Sequence, residues 1–144
     1  MWRYRIQQPM KERDLDCVLL ADRHYRLMEE VRSLLGSTFG VVVMVADELS
    51  LFESAKRLQA PLAVLDLSLT PGEGPALVRR LRFRFPNLKL IVLSVHDEPF
   101  VTHTVLQAGA NGFVLKRTIG ADLLPAVDAV LAGQRYVSPV LTSR

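Results

Sequence analysis

Four short apolar runs, each closing on a polar or charged residue, punctuate this chain. Cys17-Val18-Leu19-Leu20-Ala21 ends at Asp22, Leu62-Ala63-Val64-Leu65 at Asp66, Lys89 to Leu93 at Ser94, and Phe113-Val114-Leu115 at Lys116. Unbroken apolar runs of this length, bounded by turn signals, predict strands buried on both faces. A β-branched run from Val41 to Ala46 predicts one more strand.

Between the runs the period changes from continuous to helical. Leu27, Met28, Val31, Leu34 and Leu35 fall on one face, with Gly36 as a stop. Asp47 predicts a cap for a helix through about Leu58 that turns Leu51, Phe52, Ala55 and Leu58 inward. After Gly74, a third helix buries Leu77, Leu81 and Phe85, points its arginines outward and ends at Pro86. Asp97, with Pro99 two residues on, predicts the cap of a fourth helix reaching about Ala108. Gly109-Ala110-Asn111-Gly112 reads as a turn. The last helix is expected from about Asp122 to 132, because Pro125 is harmless only near a helix start.

Five strands alternating with five helices through short connections predict an α/β fold, a doubly wound parallel sheet covered on both faces. The commonest compact answer at this size is the flavodoxin-like strand order 2-1-3-4-5. In that order Asp22, Asp66, Ser94 and Lys116 share the carboxyl edge of the sheet. Residues 1–16 have mixed charge and no period, and read as a mobile leader. The folded domain is expected over 17–136, and 137–144 reads as a tail or the start of a linker.

Composition narrows the classes. The 144 residues suffice for one domain with a sizeable core, and 49% apolar with 23% charged residues excludes a disordered chain. No apolar run approaches the roughly 18 residues that span a bilayer, so no membrane association is expected. The lone Cys17 excludes an internal disulfide and fits a reducing, cytoplasmic setting. Net charge is +3, with Arg79, Arg80, Arg82, Arg84 and Lys89 in one stretch free of acids. Such a run is more often the solvated side of a helix than a nucleic-acid face.

Two carboxylates, a hydroxyl and an ammonium at the mouth of a parallel sheet suit phosphoryl chemistry. Asp66 would be the nucleophile toward phosphorus, Ser94 a donor to a phosphoryl oxygen, and Lys116 a point charge. No glycine-rich loop follows the first strand, so neither a P-loop nor a dinucleotide fingerprint is present.

The four strand-end motifs, Val18-Leu19-Leu20-Ala21-Asp22, Leu65 to Gly74, Val92-Leu93-Ser94 and Gly109 to Lys116, together resemble the receiver domain of bacterial two-component response regulators. The ending Ala132 to Pro139, and Arg117 after Lys116, are similar to the NarL/FixJ (LuxR-type) subclass. The resemblance covers about residues 17 to 138 and implies a CheY-like fold. It implies that Asp66 is the phosphoacceptor, charged by a sensor histidine kinase, and that the chain is a signalling switch rather than an enzyme. Ser94 would be the switch hydroxyl, Lys116 its ion-pair partner, and Phe113 the aromatic switch residue. Asp22, Asp66 and the backbone carbonyl of Ser68 would hold Mg2+. Helix 4, strand 5 and helix 5 would form the output or homodimer face. DNA would be reached only through an output domain absent from this chain.

One residue departs from the pattern. Receivers place two adjacent acids after the first strand, whereas this chain has Asp22-Arg23-His24. With Arg23 in the pocket, Asp22 and Asp66 against Arg23 and Lys116 sum to zero, so Mg2+ affinity is expected to be low. Arg23 would bind phosphate in place of the metal, pair with Asp66, or point to solvent with no role. The second case describes a degenerate receiver acting as a phosphorylation-independent protein-interaction module. His24 is expected at the surface or as a cap, and His96-Asp97-Glu98 is not expected to bind metal. An aspartyl-phosphate hydrolase is disfavoured, since Ser68 stands where a second catalytic acid would be.

Overall fold

The computed structural model describes residues 17–142. The expected leader over 1–16 lies outside the described residues, as do the last two residues of the expected tail and the side chain of Leu27.

Strands β1 (Cys17–Ala21), β2 (Val41–Val45), β3 (Leu62–Asp66), β4 (Lys89–Ser94), β5 (Gly112–Leu115) and β6 (Tyr136–Val137) form one sheet in the order β2-β1-β3-β4-β5-β6. Every pairing is parallel. Helices α1 (Tyr25–Gly36), α2 (Glu48–Leu58), α3 (Gly74–Arg84), α4 (Pro99–Ala108) and α5 (Ile119–Leu131) are the crossovers, and a short α6 (Pro139–Thr142) follows β6. The predicted order 2-1-3-4-5 is present, with β6 added at the β5 edge.

Side chains alternate along each strand, so the sheet builds two cores. Leu19, Ala21, Leu65, Val92, Phe113 and Leu115 face α2, α3 and α4, meeting Leu51, Ala55, Leu77, Leu81 and Val105. Val18, Leu20, Val64, Ile91, Leu93 and Val114 face α1 and α5, meeting Met28, Val31, Leu35, Leu123, Val127 and Val130. Burial on both faces explains why the strands are unbroken apolar runs. Each fully buried leucine or valine contributes about 1.5–3 kcal/mol relative to exposure. The exception is β2, an edge strand whose Val41 and Met44 are exposed. No described helix is long and apolar enough to cross a membrane.

Four local expectations are revised. The last helix begins at Ile119, after a 3-10 turn over Lys116–Thr118, so Pro125 lies inside it. Buried Ile119, Asp122, Leu123, Ala126 and Val127 hold the helix against the sheet around that proline, so packing overrides its local cost. The N-cap position of α4 is Glu98, without a side-chain cap, rather than Asp97, whose carboxylate lies 3.3 Å from the Arg117 guanidinium. Phe85 lies just past α3 and is only partly buried.

The fourth revision concerns the arginines of α3, not all of which are solvated. Arg82 folds under the α4–β5 turn, donating to the carbonyls of Leu88 (2.6 Å) and Gly109 (2.9 Å) and to Asn111 Oδ1 (2.8 Å). Burial lowers the pKa of this guanidinium from its ordinary value. Gly109 sits at φ 125°, and a Cβ there would come within 2.8 Å of the Arg82 chain. Both constraints demand glycine. Arg80 pairs instead with Glu48 at 2.8 Å. By contrast Asp47 caps α2 as predicted, accepting from the Ser50 amide at 2.7 Å.

Strand β6 is fastened by a buried carboxylate. Asp122 accepts from the hydroxyls of Thr118 (2.5 Å), Ser138 (2.7 Å) and Tyr136 (3.1 Å). Ser138, fully buried, also accepts from the Leu115 amide at 2.9 Å. Desolvation, then the Asp122 charge and its hydrogen bond, push the Tyr136 phenol up to about 12 from 10.0. A folded pKa above the unfolded one means stability is intact below the unfolded value and falls as pH rises from about 10 to about 12. Unfolding midpoints measured across that window should therefore decline more steeply in the parent than in Tyr136→Phe. Parallel curves would contradict this latch.

Candidate functional site

The sheet registers bring the polar strand ends together. Ala21 lies opposite Leu65, so Asp22 and Asp66 follow side by side where β1 and β3 end. This is the point where the strand order reverses, at which open α/β sheets bind their ligands. Asp66 is opposite Leu93 and Ser94 opposite Leu115, which puts Ser94 and Lys116 on the same rim. After Asp66 a 3-10 turn, Leu67–Leu69, turns the chain toward α3. Gly74 lets that turn pack closely, since a Cβ there would lie 2.7 Å from the Leu67 carbonyl oxygen.

Asp22 and Asp66 are almost wholly buried. The Lys116 ammonium reaches Asp66 Oδ1 at 2.7 Å and lies 3.9 Å from Asp22 Oδ2. The other Asp66 oxygen accepts from the Ser68 hydroxyl at 2.5 Å. Asp22 Oδ1 accepts from the His24 amide at 2.7 Å and lies 3.2 Å from its Nδ1. The same Nδ1 lies 3.7 Å from Asp66 Oδ2. Asp22 Oδ2 is buried with no hydrogen-bond partner. An unsatisfied buried carboxylate oxygen requires an explanation, and an ion is one.

These groups open into a cavity of about 520 Å³ lined by His24, Asp66, Ser68, Ser94 and Lys116, with Phe100 and Val95 exposed at its rim. Ser94 Oγ accepts from the His96 amide at 2.8 Å and donates to the His96 carbonyl at 3.4 Å, at the wall of this space. Phe113 is not in the cavity; it is fully buried beneath the rim, opposite Val92 and two residue pairs from Ser94 along the sheet.

Arg23 lies elsewhere. It is exposed and forms no ion pair with Asp66 or Asp22. The reason is local: the Asp22 side chain bonds the amide two residues on, an Asx-type turn that swings His24, not Arg23, over the carboxylates. The pocket therefore holds two carboxylates against one ammonium and sums to −1 rather than to zero. His24, expected at the surface, is 61% exposed yet has its Nδ1 over both carboxylates. Among the described residues, Asp22, His24 and Asp66 are the cluster that could hold a metal ion, their ligand atoms all within 4.8 Å of one another. His96 pairs loosely with Glu98 at 3.6 Å and joins no such cluster.

Sequence reasoning missed the His24 imidazole and the Ser68 hydroxyl. Both sit two residues after an aspartate, at Asp22-Arg23-His24 and Asp66-Leu67-Ser68. That spacing is the available signal, because an aspartate readily turns the chain back on itself.

The parallel sheet with a carboxylate-lysine pocket at its switch point defines a receiver, and the family comparison agrees: the profile of the response regulator receiver domain matches residues 18–128, and the chain belongs to this family. Its relatives place it with the NarL/FixJ (LuxR-type) receivers. It is similar to a Brevibacillus brevis protein, "Transcriptional regulatory protein DegU", 32% identical over 128 residues, covering 87% of this chain and 54% of that one. "Oxygen regulatory protein NreC" of Staphylococcus carnosus is 31% identical over 104 residues, covering 72% of this chain and 48% of its own length. The chain thus spans about half the length of these curated relatives. Among solved structures, a LuxR-family response regulator from Aurantimonas superposes with a TM-score of 0.82 at 26% identity, covering 90% of this chain and 94% of that one. The isolated receiver of RcsB from Salmonella enterica, with the phosphomimetic BeF3-, gives 0.81 at 27% identity, covering 90% and 97%.

One ammonium holding two buried carboxylates makes a stability prediction. Lys116→Met should destabilise the domain by about 3–5 kcal/mol, since it strands buried charge. Adding Asp66→Asn should recover part of that loss. Urea unfolding of the three proteins checks this; equal midpoints for parent and Lys116→Met would contradict the pairing.

Proposed function

We propose that the chain is a phosphoacceptor receiver, taking a phosphoryl group on Asp66 from the phosphohistidine of a sensor kinase. The observation that carries this reading is Asp66 itself, a buried carboxylate at the cavity floor with Lys116 2.7 Å from one oxygen. One Asp66 oxygen attacks phosphorus as the P–N bond breaks. A P–O bond forms, and the departing imidazole takes its proton from solvent. Replacing a carboxylate by an acyl phosphate of roughly −2 adds one negative charge. Lys116 meets that charge, and Ser94 Oγ turns from the His96 amide to donate to a phosphoryl oxygen. A divalent ion beside Asp22 and Asp66 would orient the phosphoryl oxygens and offset their charge.

Mg2+ would be held weakly. Asp22, Asp66 and the Ser68 carbonyl offer oxygens, but the acid that receivers add next to Asp22 is Arg23, and it points away. Movement of Ser94 would bias the packing of α4 and β5, with buried Phe113 reporting it to a kinase-, partner- or self-binding face on α4, β5 and α5. DNA binding would belong to an output domain joined beyond residues 137–144, and the setting would be cytoplasmic. The rival reading, an interaction module clamped by Arg23 on Asp66, has no such contact behind it, because Lys116 and Ser68 occupy both Asp66 oxygens.

Incubation with a small acyl-phosphate donor and a divalent ion, read by intact mass, tests the reading. One phosphoryl adduct is expected, absent in Asp66→Asn and slower to form in Lys116→Met. No adduct from either small donor or kinase would refute it.

A further inference from the structure

We infer that the cation site of this receiver is a mixed nitrogen–oxygen site, in which His24 Nδ1 joins Asp22 and Asp66 and selects Zn2+ or a similar transition ion over Mg2+. The inference rests on the phosphoacceptor reading for the site's role, but not for its ligands.

Three observations support it. First, His24 Nδ1 lies 3.2 Å from Asp22 Oδ1 and 3.7 Å from Asp66 Oδ2. Ligand atoms about 2.0–2.1 Å from a tetrahedral ion sit about 3.4 Å from one another; the two His24 separations lie near that value, and all three ligand atoms lie within 4.8 Å of one another. Second, Asp22 Oδ2 is buried and without a hydrogen-bond donor, so this carboxylate has acceptor capacity that no described protein group meets. Third, Arg23 removes the oxygen ligand that would complete a hard, all-oxygen cage, and its turn brings an imidazole in instead.

Ligand chemistry then decides the ion. Carboxylates, carbonyls and water suit Mg2+, whereas imidazole suits zinc, nickel, copper and iron. Mg2+ also demands near-octahedral oxygen geometry and gives up water reluctantly. A site with one ring nitrogen and two carboxylates, open on the cavity side, matches a transition ion that keeps a position free for a phosphoryl oxygen. The charges agree as well. Asp22, Lys116 and a divalent ion sum to +2, which an acyl phosphate of roughly −2 on Asp66 would cancel. Neutral His24 adds nothing to that sum, and Arg23 stays outside it.

The test uses the full chain and two metals. Calorimetric titration with ZnCl2 and with MgCl2 should show Zn2+ bound at least about ten-fold more tightly. His24→Ala should lower Zn2+ affinity at least about ten-fold and leave Mg2+ affinity unchanged, while Arg23→Asp should raise Mg2+ affinity. In the unmutated protein, Zn2+ should shift the 15N resonance of His24 Nδ1, a readout that requires no variant to fold. Equal affinities for the two ions, zinc affinity that survives His24→Ala, or an unmoved His24 ring nitrogen would each overturn the inference. A phosphoryl adduct formed without zinc preference would end this inference and keep the phosphoacceptor; a His24-dependent zinc site without any adduct would do the reverse.

Discussion

Asp22 and Asp66 share a single, largely buried ammonium, and the rest of the site follows from that shortage of positive charge. Two ionised carboxylates a few ångströms apart repel strongly in a medium less polar than water. Lys116 sits on one oxygen of Asp66 at 2.7 Å but stays 3.9 Å from Asp22. The remaining oxygens recruit neutral donors, the Ser68 hydroxyl and the His24 amide, and one oxygen of Asp22 finds none. A pocket left at −1 with an unfilled acceptor would, on the proposed reading, take a cation and then a phosphoryl group.

The fold creates this condition and also bears its cost. The strands are apolar up to their last residues, and both faces of the sheet are sealed by helices, so the tips of β1 and β3 are shielded from water. Parallel registers then bring Asp66 beside Asp22 and deliver Lys116 from β5 across Ser94. Polar fastenings elsewhere hold the frame: Arg82 beneath the α4–β5 turn, and Asp122 with three hydroxyls at β6. Both lie next to elements that carry Lys116, which ties its position to the edge of the sheet.

Much of this was legible in the residues. Apolar runs closing on Asp22, Asp66, Ser94 and Lys116 located the strands and the site, because a strand buried on both faces tolerates a charge only at its end. The strand order followed from βα alternation. What stayed hidden depended on side-chain direction. Arg23 and His24 are neighbours in sequence, and only the Asp22–His24 amide bond settles which of them overhangs the carboxylates. Strand β6 escaped because two residues carry no period; its signal is spread over Thr118, Asp122, Tyr136 and Ser138, which converge only in the fold. Pro125 misled for the opposite reason, since a strong local rule yielded to packing of Leu123, Ala126 and Val127.

The central claim is that Asp66 is a phosphoacceptor whose pocket excludes Arg23 and includes His24. A crystal structure grown with beryllofluoride and Zn2+ tests it most directly. The account predicts a beryllofluoride group on Asp66, contacted by Lys116 Nζ and Ser94 Oγ, beside an ion held by Asp22, Asp66 and His24 Nδ1, with the Arg23 guanidinium in solvent. A bare Asp66 paired with Arg23 would contradict it.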